Sequence, residues 1–108
     1  MLLTKEAIED IAGLVNYIVL EFQNSDAAEK LYLDLKREIA NIGNFPVRFL
    51  STDIMYRNYV IHKKVYRSYL IFYIVNESSQ KIYILRVIKD IMDWYQILRD
   101  TKVYHFNY

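Results

Sequence analysis

The spacing of apolar residues changes once along this chain, and that change constrains the fold more than any other feature. As far as Ile42, apolar side chains recur every three or four residues, which is the repeat of one helix face. From Arg57 to Ile88 the chain is rich in β-branched and aromatic residues, which is typical of strands. The sequence therefore predicts a single α+β domain, residues 1–108, in which a helical hairpin covers one face of a small antiparallel sheet.

The first half of the chain predicts two antiparallel helices. Thr4 is a favourable N-cap for a helix from about Lys5 to Phe22. Asn24 or Ser25 caps the second helix, and Gly43 is placed to end it in the left-handed conformation. Because the connection between the helices is short, they are expected to lie side by side.

The second half predicts three strands, which are Arg57–His62, Tyr66–Asn76 and Lys81–Ile88. In this interpretation residues 63–65 and the polar residues 77–80 form the two hairpin loops. The simplest pairing then places Ile71 opposite Arg86.

This register predicts a cationic face on the sheet. Arg57, Arg67 and Arg86 would all lie on it among tyrosines, because alternate residues of a strand share a face. The opposite face would carry Leu70, Phe72, Leu85 and Val87 and would pack against the helices. A slip of one residue in either hairpin would scatter the arginines.

The remaining segments are assigned as follows. Val47–Tyr56 is predicted to be a loop. Asp90 is predicted to cap a short C-terminal helix that continues to about Leu98. The tail, residues 102–106, is expected to form an extra strand or an extended arm.

Composition narrows the class of protein. The chain of 108 residues contains no cysteine, which excludes a disulfide framework and a thiolate metal site. No apolar run approaches the ~20 residues of a membrane span, and no signal peptide is recognised, so a cytoplasmic protein is expected. Residues 1–56 have 5 basic and 9 acidic side chains, whereas residues 57–108 have 9 and 4. Two interpretations of this imbalance remain open. Either the charges are distributed by chance, or the basic second half, which contains the sheet, binds an anionic partner.

Several short patterns follow one another in a characteristic order. They are Glu6-Ala7, Asp10-Ile11, Val15 and Tyr17-Ile18, then Phe45-Pro46, Tyr56-Arg57, the run from Tyr66 to Ile74, and the run from Ile84 to Trp94. Together they resemble the RelE/ParE superfamily, the toxins of bacterial type II toxin–antitoxin systems, over nearly the whole chain. Three departures stand out. Lys89 replaces a usual histidine, Ile91-Met92 replaces an Arg-Arg pair, and only Met1–Leu3 precedes the first helix where a full strand is usual.

The RelE-like branch implies cleavage of mRNA in the ribosome by attack of a 2′-OH on the adjacent phosphate. The catalytic residues that this resemblance implies are Arg67 and Arg86, which would hold the phosphate, and Lys89, which would act as the base. Further RNA contacts are expected from Arg57, Lys63, Lys64 and Tyr95. The structural alternatives are that Arg57 pairs with Asp53 or Glu38 and that the two lysines are simply solvated.

Two other functions remain open. A ParE-like toxin poisons DNA gyrase by binding and needs no nuclease site, and a decayed homologue binds only its antitoxin. All three imply a cognate antitoxin as partner, and none implies a metal, a small-molecule cofactor or a membrane.

Overall fold

The structure, a computed structural model, describes residues 2–44, 46 and 50–106. Its elements are β1 (Leu2–Leu3), α1 (Lys5–Phe22), α2 (Ser25–Ile42), β2 (Leu50–Tyr56), β3 (Tyr59–Tyr66), β4 (Tyr69–Asn76), β5 (Lys81–Lys89) and α3 (Trp94–Asp100). The strands form one sheet in the order β1-β5-β4-β3-β2. β1 runs parallel to β5, and the other neighbouring pairs are antiparallel. The predicted α+β fold, with the helical hairpin ahead of the sheet, is confirmed.

Local capping explains where the first two helices begin. The N–H of Ala7 donates to Thr4 Oγ1 at 3.1 Å, and the N–H of Ala27 donates to Asn24 Oδ1 at 2.9 Å. The prediction for Gly43 is wrong, because its φ of −60° and ψ of −23° are right-handed. The left-handed residue is instead Gln23, which ends α1 with a φ of 48°.

Two tight hairpin turns occupy the segments Tyr56–Tyr59 and Tyr66–Tyr69. In each segment the outer tyrosines pair across a two-residue loop. The first loop residue has a positive φ, 55° at Arg57 and 52° at Arg67. Glycine is the usual residue for this conformation, and neither loop contains one, so no turn was predicted here.

These turns correct two predictions, and the N-terminus corrects a third. Lys63–Val65, expected to be a hairpin loop, lies inside β3. Residues 50–56, expected to be part of a loop, form β2, while residues 47–49 of that segment lie outside the described residues. Where a full first strand is usual, the chain has a two-residue edge strand, β1.

The β4–β5 hairpin follows the prediction at its loop and departs from it further on. Asn76 faces Lys81 as expected. A bulge between Phe72 and Tyr73 then shifts the register by one residue, so Phe72 rather than Ile71 faces Arg86.

Both faces of the sheet are covered. One face, with the buried side chains of Ile71, Tyr73, Ile84 and Val87, belongs to the same core as α1 and α2. The other face carries Leu70, Phe72, Ile74, Leu85 and Ile88 and clusters with Leu98 and Tyr104 of the C-terminal segment. The prediction that α1 and α2 cover the Leu70/Phe72/Leu85 face is therefore wrong.

The C-terminal segment differs in detail from its prediction. Asp93, not Asp90, caps α3, because the N–H of Gln96 donates to Asp93 Oδ1 at 3.1 Å. The tail crosses the start of α1, where Phe106 forms an isolated antiparallel bridge with Thr4. None of the described helices is long and apolar enough to cross a membrane.

Candidate functional site

The predicted face with three arginines is not formed. Arg57 and Arg67 lie in turns at opposite ends of the eight-residue β3, roughly 25 Å apart. Arg86 alone lies within a strand. The prediction failed because two hairpin turns without glycine were read as strand residues.

Arg86 forms an internal ion pair with Asp10 of α1. Its Nε donates to Asp10 Oδ2 at 2.7 Å, and its Nη2 donates to Asp10 Oδ1 at 2.8 Å. The two side chains are only 20% and 13% exposed. The hydrogen bond with Asp10 raises the pKa of the Arg86 guanidinium above its usual value. A fork-to-fork pair of this kind occupies the donor face that a phosphate would need.

The same carboxylate completes the edge of β5. β1 pairs with β5 only at Tyr83 and Ile84. Beyond that point Thr4 Oγ1 donates to the carbonyl of Leu85 at 2.9 Å, and the N–H of Val87 donates to Asp10 Oδ2 at 3.0 Å. Beyond the end of β1, side chains of α1 and of its N-cap therefore make the hydrogen bonds to the backbone of β5 that a longer edge strand would make.

Lys63 and Lys64 point to opposite faces of the sheet. The buried Lys64 donates to the carbonyl of Glu38 at 2.8 Å, and its ammonium lies 3.6 Å from the Glu38 carboxylate. The ammonium of Lys63 lies 4.6 Å from the centre of the Trp94 ring. The expectation that both lysines are solvated in a hairpin loop is wrong.

A buried carboxylate on α2, Asp34, was missed by the sequence analysis. It accepts hydrogen bonds from Lys30 at 3.1 Å, Arg37 at 3.0 Å and the Tyr66 hydroxyl at 2.9 Å. The bonds from Lys30, then Tyr66, lower the pKa of Asp34 below its usual value. Its position three residues after Leu31, on the apolar stripe of α2, is the signal that identifies it.

Arg67 and Lys89 lie at the same end of the sheet. The N–H of Asp90 donates to the carbonyl of Ser68 at 2.8 Å, which ties the Arg67 turn to the end of β5. The Lys89 ammonium lies 5.7 Å from the centre of the Tyr69 ring, and Tyr69 is directly opposite Lys89 in the sheet. Of the three predicted catalytic residues, the fold thus brings two to one end and engages the third in the pair with Asp10.

The other predicted contacts have structural neighbours of their own. The Tyr95 hydroxyl donates to Asp53 Oδ2 at 3.1 Å. The Arg57 guanidinium lies 5.1 Å from the centre of the Tyr56 ring. Arg57 forms no ion pair with Asp53 or Glu38 among the described residues, so that structural alternative is wrong.

An apolar groove runs along α1 and α2, with a cavity volume of about 590 Å³. Its lining includes Ile8, Ile11, Ala12, Val15, Tyr32 and Ile39. Ile8 and Tyr32 remain 45% and 44% exposed, so the apolar stripes of the helices are wider than the sheet that they cover. Sequence periodicity identified these stripes but could not show that part of them stays uncovered.

A second apolar surface lies at the C-terminal end of α1. Tyr17, Leu20 and Phe22 are 52%, 75% and 66% exposed. The rings of Tyr17 and Phe22 meet edge to face at 6.0 Å. We call these three residues the hairpin tip. Contiguous apolar surface of this kind marks a protein contact more often than a catalytic site.

Comparison with known proteins agrees with this architecture. A family model described as the ParE toxin of type II toxin-antitoxin system, parDE, matches residues 1–94. A search of curated proteins finds no match. Among the described residues no group of three or more His, Cys, Asp or Glu side chains is placed to hold a metal. The match to the ParE family model spans every described element from β1 to β5 and stops at the first residue of α3. The chain belongs to the ParE toxin family of type II toxin–antitoxin systems.

Proposed function

We propose that this toxin acts by binding a protein target, DNA gyrase in the manner that the ParE branch implies, and not by cutting RNA. The Asp10–Arg86 pair carries the proposal. A guanidinium held by a carboxylate at 2.7 and 2.8 Å is poorly placed to stabilise the charge that develops on a phosphate. Freeing it would leave Asp10 half-buried and unpaired, which is costly.

The two apolar surfaces of the helical hairpin support a protein partner. The groove along α1 and α2 has the shape and lining to take the apolar face of an amphipathic helix. We assign it to the cognate antitoxin that membership of the family implies. The hairpin tip, separate from the groove lining, is assigned to the target. Gyrase is a cytoplasmic enzyme, so the proposed site of action is the cytoplasm.

The test compares a hairpin-tip variant with a groove variant. Leu20→Glu with Phe22→Glu is expected to abolish growth arrest and to weaken inhibition of gyrase supercoiling at least ~10-fold, while antitoxin affinity stays unchanged. Ala12→Glu, a matched charge insertion in the groove, is expected to weaken the antitoxin complex and to leave supercoiling inhibition intact. If both variants inhibit supercoiling as the parent does, the tip is not the target surface.

A second candidate function is ribosome-dependent mRNA cleavage, in which a 2′-OH attacks the adjacent phosphate and the bond to the 5′ oxygen breaks, leaving a cyclic phosphate and a free 5′-OH. The tie between the Arg67 turn and the end of β5 supports it, because two cations then share one accessible end of the sheet. In this mechanism Arg67 and Arg86 hold the phosphate and Lys89 acts as the base. Arg57, Lys63, Lys64 and Tyr95 supply the RNA contacts in the same proposal.

Toe-printing on translating ribosomes separates the two functions. If the parent protein cuts mRNA at A-site codons and the Arg67→Ala and Lys89→Ala variants do not, mRNA cleavage is the function and the gyrase proposal is wrong. Absence of cuts together with inhibited supercoiling supports the first proposal. A chain that does neither but still binds antitoxin is an inactive homologue.

A further inference from the structure

A cationic cleft lies on the face of the sheet opposite α1 and α2. It has a cavity volume of about 340 Å³ and lies between the end of β2 and the segment that follows α3. The charged residues of its described lining are all cations, namely Arg57, Arg99 and Lys102. The buried side chains of Tyr56 and Leu98 form part of its wall. We call this site the cationic cleft.

The three cations are not neutralised within the described part of the chain. None of them forms an ion pair with a described carboxylate. The nearest acids in sequence have other partners, since Asp100 accepts a hydrogen bond from Gln96 and Asp53 accepts one from Tyr95. Three like charges in one cleft repel each other, and an anionic ligand would relieve that repulsion.

Aromatic rings hold the two guanidiniums of the cationic cleft. Arg57 lies 5.1 Å from the ring centre of Tyr56, and Arg99 lies 5.8 Å from that of Tyr95. A guanidinium restrained in this way loses less side-chain entropy when it binds an anion.

An aromatic cleft adjoins the cationic one and shares Arg57 with it. Its cavity volume is about 170 Å³, and its lining includes Tyr59, Tyr83 and Phe106. Tyr59 and Tyr83 are both partly exposed. A cluster of cations beside accessible aromatic rings matches a chain in which each phosphate is followed by a base, and an acidic peptide would leave the rings unused.

We propose that these adjoining clefts bind single-stranded nucleic acid, with a phosphate in the cationic cleft and a neighbouring base against Tyr59 and Tyr83. A single strand is required because the base must be unstacked to reach the rings. Arg99 and Lys102 lie beyond residue 94, where the family match ends, so two of the three cations of this site come from the C-terminal segment of the chain. It shares Arg57 with the RNA contacts of the second candidate function and does not include Arg67 or Lys89.

The experiment is a fluorescence anisotropy titration of the full chain with a fluorescein-labelled single-stranded DNA of about 12 nucleotides, and with the RNA of the same sequence. Arg57→Gln, Arg99→Gln and Lys102→Gln combined are expected to weaken binding at least ~10-fold. The magnitude of the slope of log affinity against log salt is expected to fall by about 0.7, since the one phosphate held in the cationic cleft contributes about 0.7 on a single strand. Lys81→Gln removes an exposed lysine outside both clefts and is expected to change neither quantity.

Two further measurements keep the proposal open to contradiction. Circular dichroism checks the fold of the triple variant, and Arg99→Gln with Lys102→Gln, which changes only exposed side chains, replaces it if Arg57 proves necessary for folding. Tyr59→Leu is expected to weaken binding about 5-fold or more by loss of stacking. Unchanged affinity in the cation variants, tighter binding of a duplex, or preferential binding of a polyglutamate peptide would each overturn the assignment.

Discussion

The two faces of the sheet use charged residues in different ways. On the side of α1 and α2, the buried or half-buried cations Lys64 and Arg86 each have a carboxylate partner on a helix. On the side of α3, the cations Arg57, Arg99 and Lys102 form no ion pair with a described carboxylate and stay exposed. Charge therefore stabilises the fold on the first side and is available to a ligand on the second.

This contrast follows from where carboxylates were placed along the chain. The helical half supplies Asp10 and Glu38, which face the sheet and fix the position of α1 and α2 upon it. The C-terminal segment has Asp93 and Asp100, whose side chains satisfy groups of α3 itself. Net charge in a sequence therefore says less about ligand binding than the partner that each charged residue finds after folding.

The largest expected effect comes from Asp10→Ala, which removes the partner of Arg86 and the acceptor for the N–H of Val87. Loss of one member of a buried pair leaves the other uncompensated, so the free energy of unfolding should fall by about 3 kcal/mol. Urea unfolding measures this loss. Glu9→Ala removes the neighbouring exposed acid and should change the free energy by less than ~0.5 kcal/mol. Equal effects at the two positions would mean that the Arg86 pair is not a structural element.

A smaller loss is expected for Thr4→Val, which keeps the shape but removes two hydrogen bonds. Thr4 is fully buried, and its hydroxyl both caps α1 and donates to the carbonyl of Leu85. The free energy of unfolding should fall by about 1–2 kcal/mol. Ser78→Ala, in an exposed turn, is the control. If Thr4→Val lowers the free energy of unfolding no more than Ser78→Ala does, the Thr4 hydroxyl does not join the helix to the sheet.

The hydrogen bonds to Asp34 are expected to make the stability of the fold depend on pH. Its folded pKa is lowered below the ordinary 3.8, so the network stabilises the fold above that pH and the contribution is lost as pH falls through the folded pKa. Wild-type stability should therefore decline on acidification from about pH 4 downward, and Asp34→Asn should decline less steeply. Urea unfolding at several pH values measures both slopes, with Glu77→Gln as the control. Parallel slopes in the wild type and Asp34→Asn would contradict the lowered pKa.

The smallest effect is expected on the other face. Lys102→Ala removes an exposed cation without a carboxylate partner among the described residues, so the free energy of unfolding should change by less than ~0.5 kcal/mol. Thermal unfolding of Lys102→Ala and of Asp10→Ala, measured side by side, compares the two faces of the sheet directly. A large loss in Lys102→Ala would mean that the cationic cleft is part of the fold's own stabilisation.

Parts of the fold could be predicted from sequence because local signals agreed with the final structure. The bounds of α1 follow from Thr4 and an apolar stripe, and the loop at residues 77–80 follows from its polar residues. The turns at Arg57 and Arg67 could not be found by the usual signals, since neither contains glycine. A repeat does mark them, because Tyr-Arg-Asn-Tyr at residues 56–59 and Tyr-Arg-Ser-Tyr at residues 66–69 recur ten positions apart and form the same turn.

The candidate site was less predictable than the fold. The sequence identified Arg67, Arg86 and Lys89 as chemically capable residues, but a cation's role depends on its nearest carboxylate. Asp10 lies 76 residues from Arg86 in the chain, and Glu38 lies 26 residues from Lys64. No local pattern encodes such pairs.

By itself the sequence determined the two N-terminal helices, the α+β class and the resemblance to a toxin superfamily, because these depend on short-range periodicity and on the order of motifs. Only the tertiary structure decided which sheet face the helices cover, which arginine is paired and which clefts stay open. The physical reason is the two-residue period of a strand. The misplaced β3–β4 turn and the bulge in β4–β5 each shift the pairing by an odd number of residues, which exchanges the faces on which the paired side chains lie.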